Sequence, residues 1–415
     1  MPGARVVFSG MDTPRARSSR FVCVVYVLAL GLAAAPVLAQ GAAAARPASI
    51  LDDFQFQEQA RKGLDYLYNM DFAAADDTFS IIALRYPDHP VSPFLQSLVP
   101  WWTIQLEPSD TSEDDEFFAS MEKVLDLCEK RLDANPKDLD ALFFEAGAHA
   151  FRGRLHSDRG HWLKAARDGQ QALKYLKEVV ALEPQNDDLY FGLGTFHYMA
   201  DVVPKKYKFL RLFARLFPKG DRALGLRELD RAMTRGRFVS TEVAWTLVQL
   251  NYTFEENYPQ TLVYARWLRQ RYPDNALFHL YEGRALERTG RLGEATRAFQ
   301  EIADRHEKGQ TGYTDAVAEQ ALYVLSRVEM ENRQYPQALA HLETLEGLMA
   351  RRPVSTEYRA LGRLRRGMAL DVLGRRQEAV RCYKDVLAMG HDQAKDRAKG
   401  YLRKPFRDPA MQAAK

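Results

Sequence analysis

Three stretches of the chain carry one pattern at one spacing: Gly63, Ala75 and Phe79; Gly283, Ala295 and Phe299; Gly367, Ala379 and Tyr383. In each, the alanine follows the glycine by twelve positions and the ring follows the alanine by four. Pro87 closes the first stretch, eight residues after Phe79. Small residues at this separation let two antiparallel helices approach closely, and the aromatic fills the gap they leave. Proline cannot continue a helix, so it ends the second one. No segment shows sustained strand alternation. The pattern therefore predicts an all-α solenoid of about seven to eight stacked helical hairpins. Arrays of this kind bind other molecules far more often than they do chemistry.

The first 39 residues stand outside that pattern. Arg15, Arg17 and Arg20 precede an apolar run from Phe21 to Leu38, and Val37-Leu38-Ala39 places small residues at the positions a signal peptidase reads. Residues 1–39 thus read as a signal peptide cleaved near Ala39, with export to the periplasm or cell envelope. The alternative is an uncleaved anchor, because a run of about 18 residues is borderline for spanning a bilayer. The leader also owns the charge. The chain has 58 Lys and Arg against 55 Asp and Glu. Four arginines and one aspartate fall before Gln40, leaving 54 of each sign. A neutral remainder removes the electrostatic case for nucleic acid. Cys128 and Cys382, beyond the leader, sit among apolar helix positions and read as buried free thiols.

Residues 40–50 form a flexible linker, and 51–235 a divergent hairpin region with insertions. Residues 236–405 are a regular array, and 406–415 a flexible tail. Within the divergent part, Val91–Glu107 reads as one helix and Ser109–Glu116 as an acidic loop. About thirteen extra residues are expected between helices Ala141–Phe151 and Gly169–Leu182. A second insertion covers Asp201–Gly220. A short basic helix, Gln393–Arg403, would cap the stack.

Units beginning at Glu242 and Ala276 lie 34 residues apart, the tetratricopeptide spacing. The chain resembles the tetratricopeptide repeat (TPR) superfamily over nearly all the residues after the leader. That resemblance implies a superhelix whose first helices line a concave, partner-binding groove. Tyr190–His197, Val203-Pro204, Lys208–Phe217, Gly220-Asp221-Arg222 and Gly225-Leu226 also resemble the eukaryotic tetratricopeptide repeat protein 39 family. Secreted bacterial TPR proteins of unknown role look similar. The resemblance brings no active site.

Candidate chemistry is sparse. Gly192 and Gly194 lie inside a predicted helix, not after a strand, so they read as helix packing and not a phosphate loop. His156 and His161 are five apart, a poor fit to one helical face, so no metal site is expected. Glu255-Glu256 and Asp114-Asp115 are adjacent and diverge on a helix. No nucleophile–base pair is evident, and neither an enzymatic role nor a cofactor is expected. Two binding surfaces are. The groove positions would include Tyr68, Phe254, Arg284, Glu287, Arg288 and Asp371, a mixture suited to a protein or peptide partner. In the second insertion, Lys205, Lys206, Lys208, Arg211 and Arg215 alternate with apolar residues including Phe213 and Phe217. That set suits an anionic membrane surface or an acidic helix, or else marks an extra helix packed on the array. The expectation is an exported scaffold that binds proteins through its groove, with a peripheral membrane factor as the alternative.

Overall fold

The structure is a computed structural model, described over residues 49–211, 218–351, 357–389 and 392–408. Among the described residues no strand occurs. The helices divide into two compact units, one ending at Asn275 and the other starting at Ala276.

The first unit holds α1 (Phe54–Tyr68), α2 (Phe72–Arg85), α3 (Val91–Gln96), α4 (Leu98–Leu106), α5 (Asp114–Ala134) and α6 (Leu139–Asp158). It continues with α7 (Trp162–Leu182), α8 (Leu189–Lys206), α9 (Arg222–Arg235), α10 (Ser240–Thr253) and α11 (Tyr258–Arg271). The second unit holds α12 (Ala276–Arg288), α13 (Leu292–Glu307), α14 (Asp315–Glu331) and α15 (Tyr335–Ala350). It ends with α16 (Glu357–Val372), α17 (Arg376–Ala388) and α18 (Asp392–Arg403).

The Gly–Ala–aromatic pattern is a packing rule in three dimensions. A Cβ on Gly63 would lie 2.4 Å from the Phe79 ring, one on Gly283 2.9 Å from Phe299, and one on Gly367 2.6 Å from Tyr383. Each ring therefore occupies the volume its glycine leaves open, and all three rings are fully buried. A second regularity lies in the backbone. Met70, Gly160, Glu256, Gly290, Arg333 and Gly374 all adopt positive φ, and each sits one residue before the N-cap of its hairpin's second helix. Glycine takes this conformation freely, whereas other residues strain to reach it. The same turn thus recurs with and without glycine. Asp71 and Asn257 then cap α2 and α11 by accepting backbone N–H groups, which satisfies otherwise orphaned donors.

Three expectations change in the divergent region. Val91–Glu107 is two helices, broken at Ser97. The extra residues expected between the two helices before Gly169 are mostly helical themselves. They lengthen the hairpin to helices of 20 and 21 residues, closely packed where a Cβ on Gly153 would meet the Ala165 carbonyl at 3.4 Å. Helix α8 also runs past Asp201 and through Pro204 to Lys206. The acidic loop is pinned from across the hairpin by Arg159. Its guanidinium donates to Asp114 at 2.5 and 2.6 Å, to the Pro108 carbonyl at 2.6 Å and to the Asp110 carbonyl at 2.9 Å.

Cys128 and Cys382 are buried free thiols, and burial raises both above the usual thiol range. Phe406 and Asp408, expected in a flexible tail, are tied down. The Phe406 N–H donates to Asp371 at 2.8 Å, and Asp408 accepts from the Tyr335 hydroxyl at 2.7 Å. The leader, residues 40–48 and 409–415 lie outside the described residues.

Candidate partner-binding faces

In the second unit the first helices of successive hairpins, α12, α14 and α16, touch in order and share one face. Arg284 on α12 donates to the Gln320 side chain on α14 and lies 4.9 Å from the Tyr281 ring centroid. One turn on, Glu287 accepts from Arg327 of α14, which also holds Glu331 at 3.2 Å. Burial raises the Glu287 carboxyl above its ordinary range, against the pull of Arg327, Arg288 and Arg284. Arg288 is exposed. Between α14 and α16, Arg365 is 4% exposed, with its guanidinium 4.3 Å from the Tyr323 ring centroid and donating to the Tyr323 carbonyl. The face is a ladder of alternating charges, fixed in position by bonds from helix to helix. Fixed charges that remain partly wet can select a partner without losing much side-chain freedom on binding.

Asp371 does not join that ladder. Its side chain is fully buried and accepts from Tyr383 at 2.8 Å, Arg376 at 3.0 Å and the Phe406 N–H. It anchors the end of the chain.

In the first unit, Tyr68 lies inside the body. It is 3% exposed, with ring centroids 5.8 Å from Trp102 and 5.4 Å from Tyr272. Its hydroxyl meets Glu242 on α10, which the Trp102 indole N–H also faces. Burial is the largest influence on Glu242 and outweighs both bonds and the nearby Arg154 charge, raising the carboxyl from 4.5 to about 7. The Tyr272 hydroxyl donates to Asp65 at 2.8 Å, Asn275 donates to the Tyr68 carbonyl at 2.7 Å, and Phe56 packs on Phe238 at 6.4 Å. The first hairpin thus packs against the end of the fifth, and the interior between them is filled with aromatics around one carboxyl. Sequence reading missed Glu242. Its only signal was a lone acid in the apolar run Thr241–Leu250.

Phe254 is half-buried beside Tyr198, with their centroids 6.3 Å apart. Lys206 lies 5.0 Å from the Phe254 ring and donates to the Thr253 carbonyl. A groove candidate and an insertion candidate are therefore neighbours. Lys205 is exposed and paired with Asp201 at 2.7 Å. Lys208 and Arg211 are exposed, while Leu210, from the predicted apolar stripe, is buried. Phe213, Arg215 and Phe217 lie outside the described residues.

His149 and His156 form part of the α6–α7 core, whereas His161, the N-cap residue of α7, is exposed. His149 bonds Asp168 at 2.9 Å, and Arg152 forks onto the same carboxylate. Burial opposes charge on His149, yet its bonds to Asp168 and Glu145 raise it. His156 stacks on Phe118 at 4.5 Å, and burial depresses it to about 4. Among the described residues, no group of three or more His, Cys, Asp or Glu is arranged to hold a metal ion. None of the described helices is long and apolar enough to cross a membrane.

The recurring hairpin, its glycine–ring packing and the shared face of the first helices define a TPR-type helical repeat protein. Residues 187–348 match the family Iml2/Tetratricopeptide repeat protein 39, and over that segment the chain is similar to that family. Among solved structures it is similar to the crystal structure of yeast Tom70, at 12% identity and a TM-score of 0.37, covering 85% of this chain and 88% of that one. It is also similar to a tetratricopeptide repeat protein from Parabacteroides merdae, at 13% identity and a TM-score of 0.25, covering 84% of this chain and 97% of that one. Comparison with curated proteins finds no match.

Proposed function

We propose that this protein is an exported, non-enzymatic scaffold that binds protein or peptide partners in the cell envelope. The observation that carries this reading is the charged ladder on α12 and α14. Arg284–Gln320 and Glu287–Arg327 hold alternating charges along one face, with Arg288 exposed beside them. A peptide of complementary sequence would lie across consecutive first helices and meet those charges in register. Export rests on the leader, whose basic, apolar and small-residue parts occur in order.

Arg284→Glu combined with Arg288→Glu reverses two charges on this face. A crosslinking pull-down from the native envelope should lose the partner that the unmodified chain recovers, while the helical circular dichroism signal is unchanged. An identical partner list from both proteins would overturn the proposal for this face. N-terminal sequencing of the exported protein should begin near Gln40, and a start upstream of Phe21 would instead favour the anchored alternative.

A further inference from the structure

We propose that the first turn of α7 and the segment Tyr207–Arg211 together form a docking face for an anionic phospholipid surface. Sequence reading confined this idea to the insertion, but the structure adds a second element to it. Trp162 opens α7, and its ring meets Phe209 edge-on at 5.8 Å. Tyr207 also packs on Phe209, at 6.5 Å. Next to this aromatic group, Leu163 is 74% exposed and Phe209 itself 50%.

The charged residues of the two segments have one sign. Lys164, Arg167, Lys205, Lys208 and Arg211 are all exposed. Neither 161–167 nor 202–211 contains an acid. The flanking acids are already engaged: Asp201 pairs with Lys205, Asp168 is buried with His149 and Arg152, and Asp158 pairs with Arg154.

Large apolar side chains exposed among long cations match a lipid interface. The rings and leucine enter the headgroup boundary, while lysines and arginines reach the phosphates. A folded protein would need a pocket for each projecting side chain, whereas a bilayer accepts them without one. Two other exposed apolar residues, on α2, have acids nearby in sequence. Ile81 and Leu84 on α2 are 58% and 84% exposed, but Asp77 lies one turn from Ile81 and Asp88 four residues after Leu84, and both would be repelled by anionic lipid.

The test uses the full chain with phosphatidylcholine vesicles, with and without phosphatidylglycerol, at low and high salt. Co-sedimentation should show an excess on the anionic vesicles that high salt removes. Leu163→Asp with Phe209→Asp should cut that excess by at least roughly tenfold, since two apolar side chains lose their burial. Lys208→Glu with Arg211→Glu should abolish its salt sensitivity, and Leu84→Asp should change nothing. Any binding through residues 21–38 is common to all variants and drops out of the comparison. Brominated phosphatidylglycerol should quench a share of the tryptophan fluorescence that Trp162→Phe removes. No anionic excess, an excess untouched by both double substitutions, or quenching unchanged in Trp162→Phe would overturn the proposal. So would charge-dependent binding to polyglutamate without vesicle binding, which would assign the face to an acidic protein.

Discussion

Replacing Phe299 with alanine is expected to lower the unfolding free energy of the second unit by about 3–5 kcal/mol, the usual range for emptying a buried phenylalanine site. The ring is fully buried and fills the space above Gly283, where even a methyl group would come within 2.9 Å of it. Ala295 is 1% exposed and closes the same contact from the ring's own helix. The turn between α12 and α13 is short and closed by backbone bonds from Gly290 to Glu287 and from Arg291 to Leu286, which limits how far the hairpin can collapse into the cavity. Urea unfolding followed by circular dichroism reads the effect, provided the transitions of the two units are resolved. Pairing Gly283→Ala with Phe299→Leu separates packing from other losses. The added methyl needs the room that the smaller side chain releases, so the double variant should be more stable than the two single effects predict. A loss below about 1 kcal/mol for Phe299→Ala would show that the ring does not fill this gap.

That contact was legible in the sequence because it depends on residue size at fixed spacing. The glycine must be small and the ring large, and both facts are written in the residue names. The lengthening of the α6–α7 hairpin was hidden for the converse reason. Its helices are held by Gly153, Ala165 and the Asp168–His149–Arg152 cluster, and a buried polar cluster interrupts the apolar periodicity on which helix recognition relies. The hairpin turns were half legible. Gly160, Gly290 and Gly374 mark them, but Met70, Glu256 and Arg333 take the same backbone conformation without any compositional sign.

Surface assignments were harder still, since they depend on which neighbour reaches a side chain first. Glu287 and Asp371 look alike as acids on first helices. Arg327 leaves the first on a shared face, while Tyr383, Arg376 and the Phe406 N–H enclose the second. Trp162 and Leu163 carried no signal beside the insertion, because 45 residues separate Trp162 from Tyr207 and only the fold brings their rings onto Phe209.

Glu242→Gln is expected to change how stability depends on pH in the first unit. The carboxyl is raised from 4.5 to about 7 because burial disfavours its charge more than Tyr68, Trp102 and Arg154 favour it. Between those values the folded chain keeps a proton that the unfolded chain releases. The stability from this group is therefore complete below about pH 4.5 and is lost as pH rises through about 7. Glutamine can still accept from the Tyr68 hydroxyl and face the Trp102 indole, and it never ionises. The variant should therefore gain about 2–3 kcal/mol relative to the unmodified protein between about pH 5 and pH 8. Other titrating groups, including His149 and Asp168, are common to both proteins and cancel in that difference. Parallel urea titrations at the two pH values measure it. A difference that is the same at both would mean that Glu242 keeps an ordinary carboxylate, and that water enters the aromatic interior between the first and fifth hairpins.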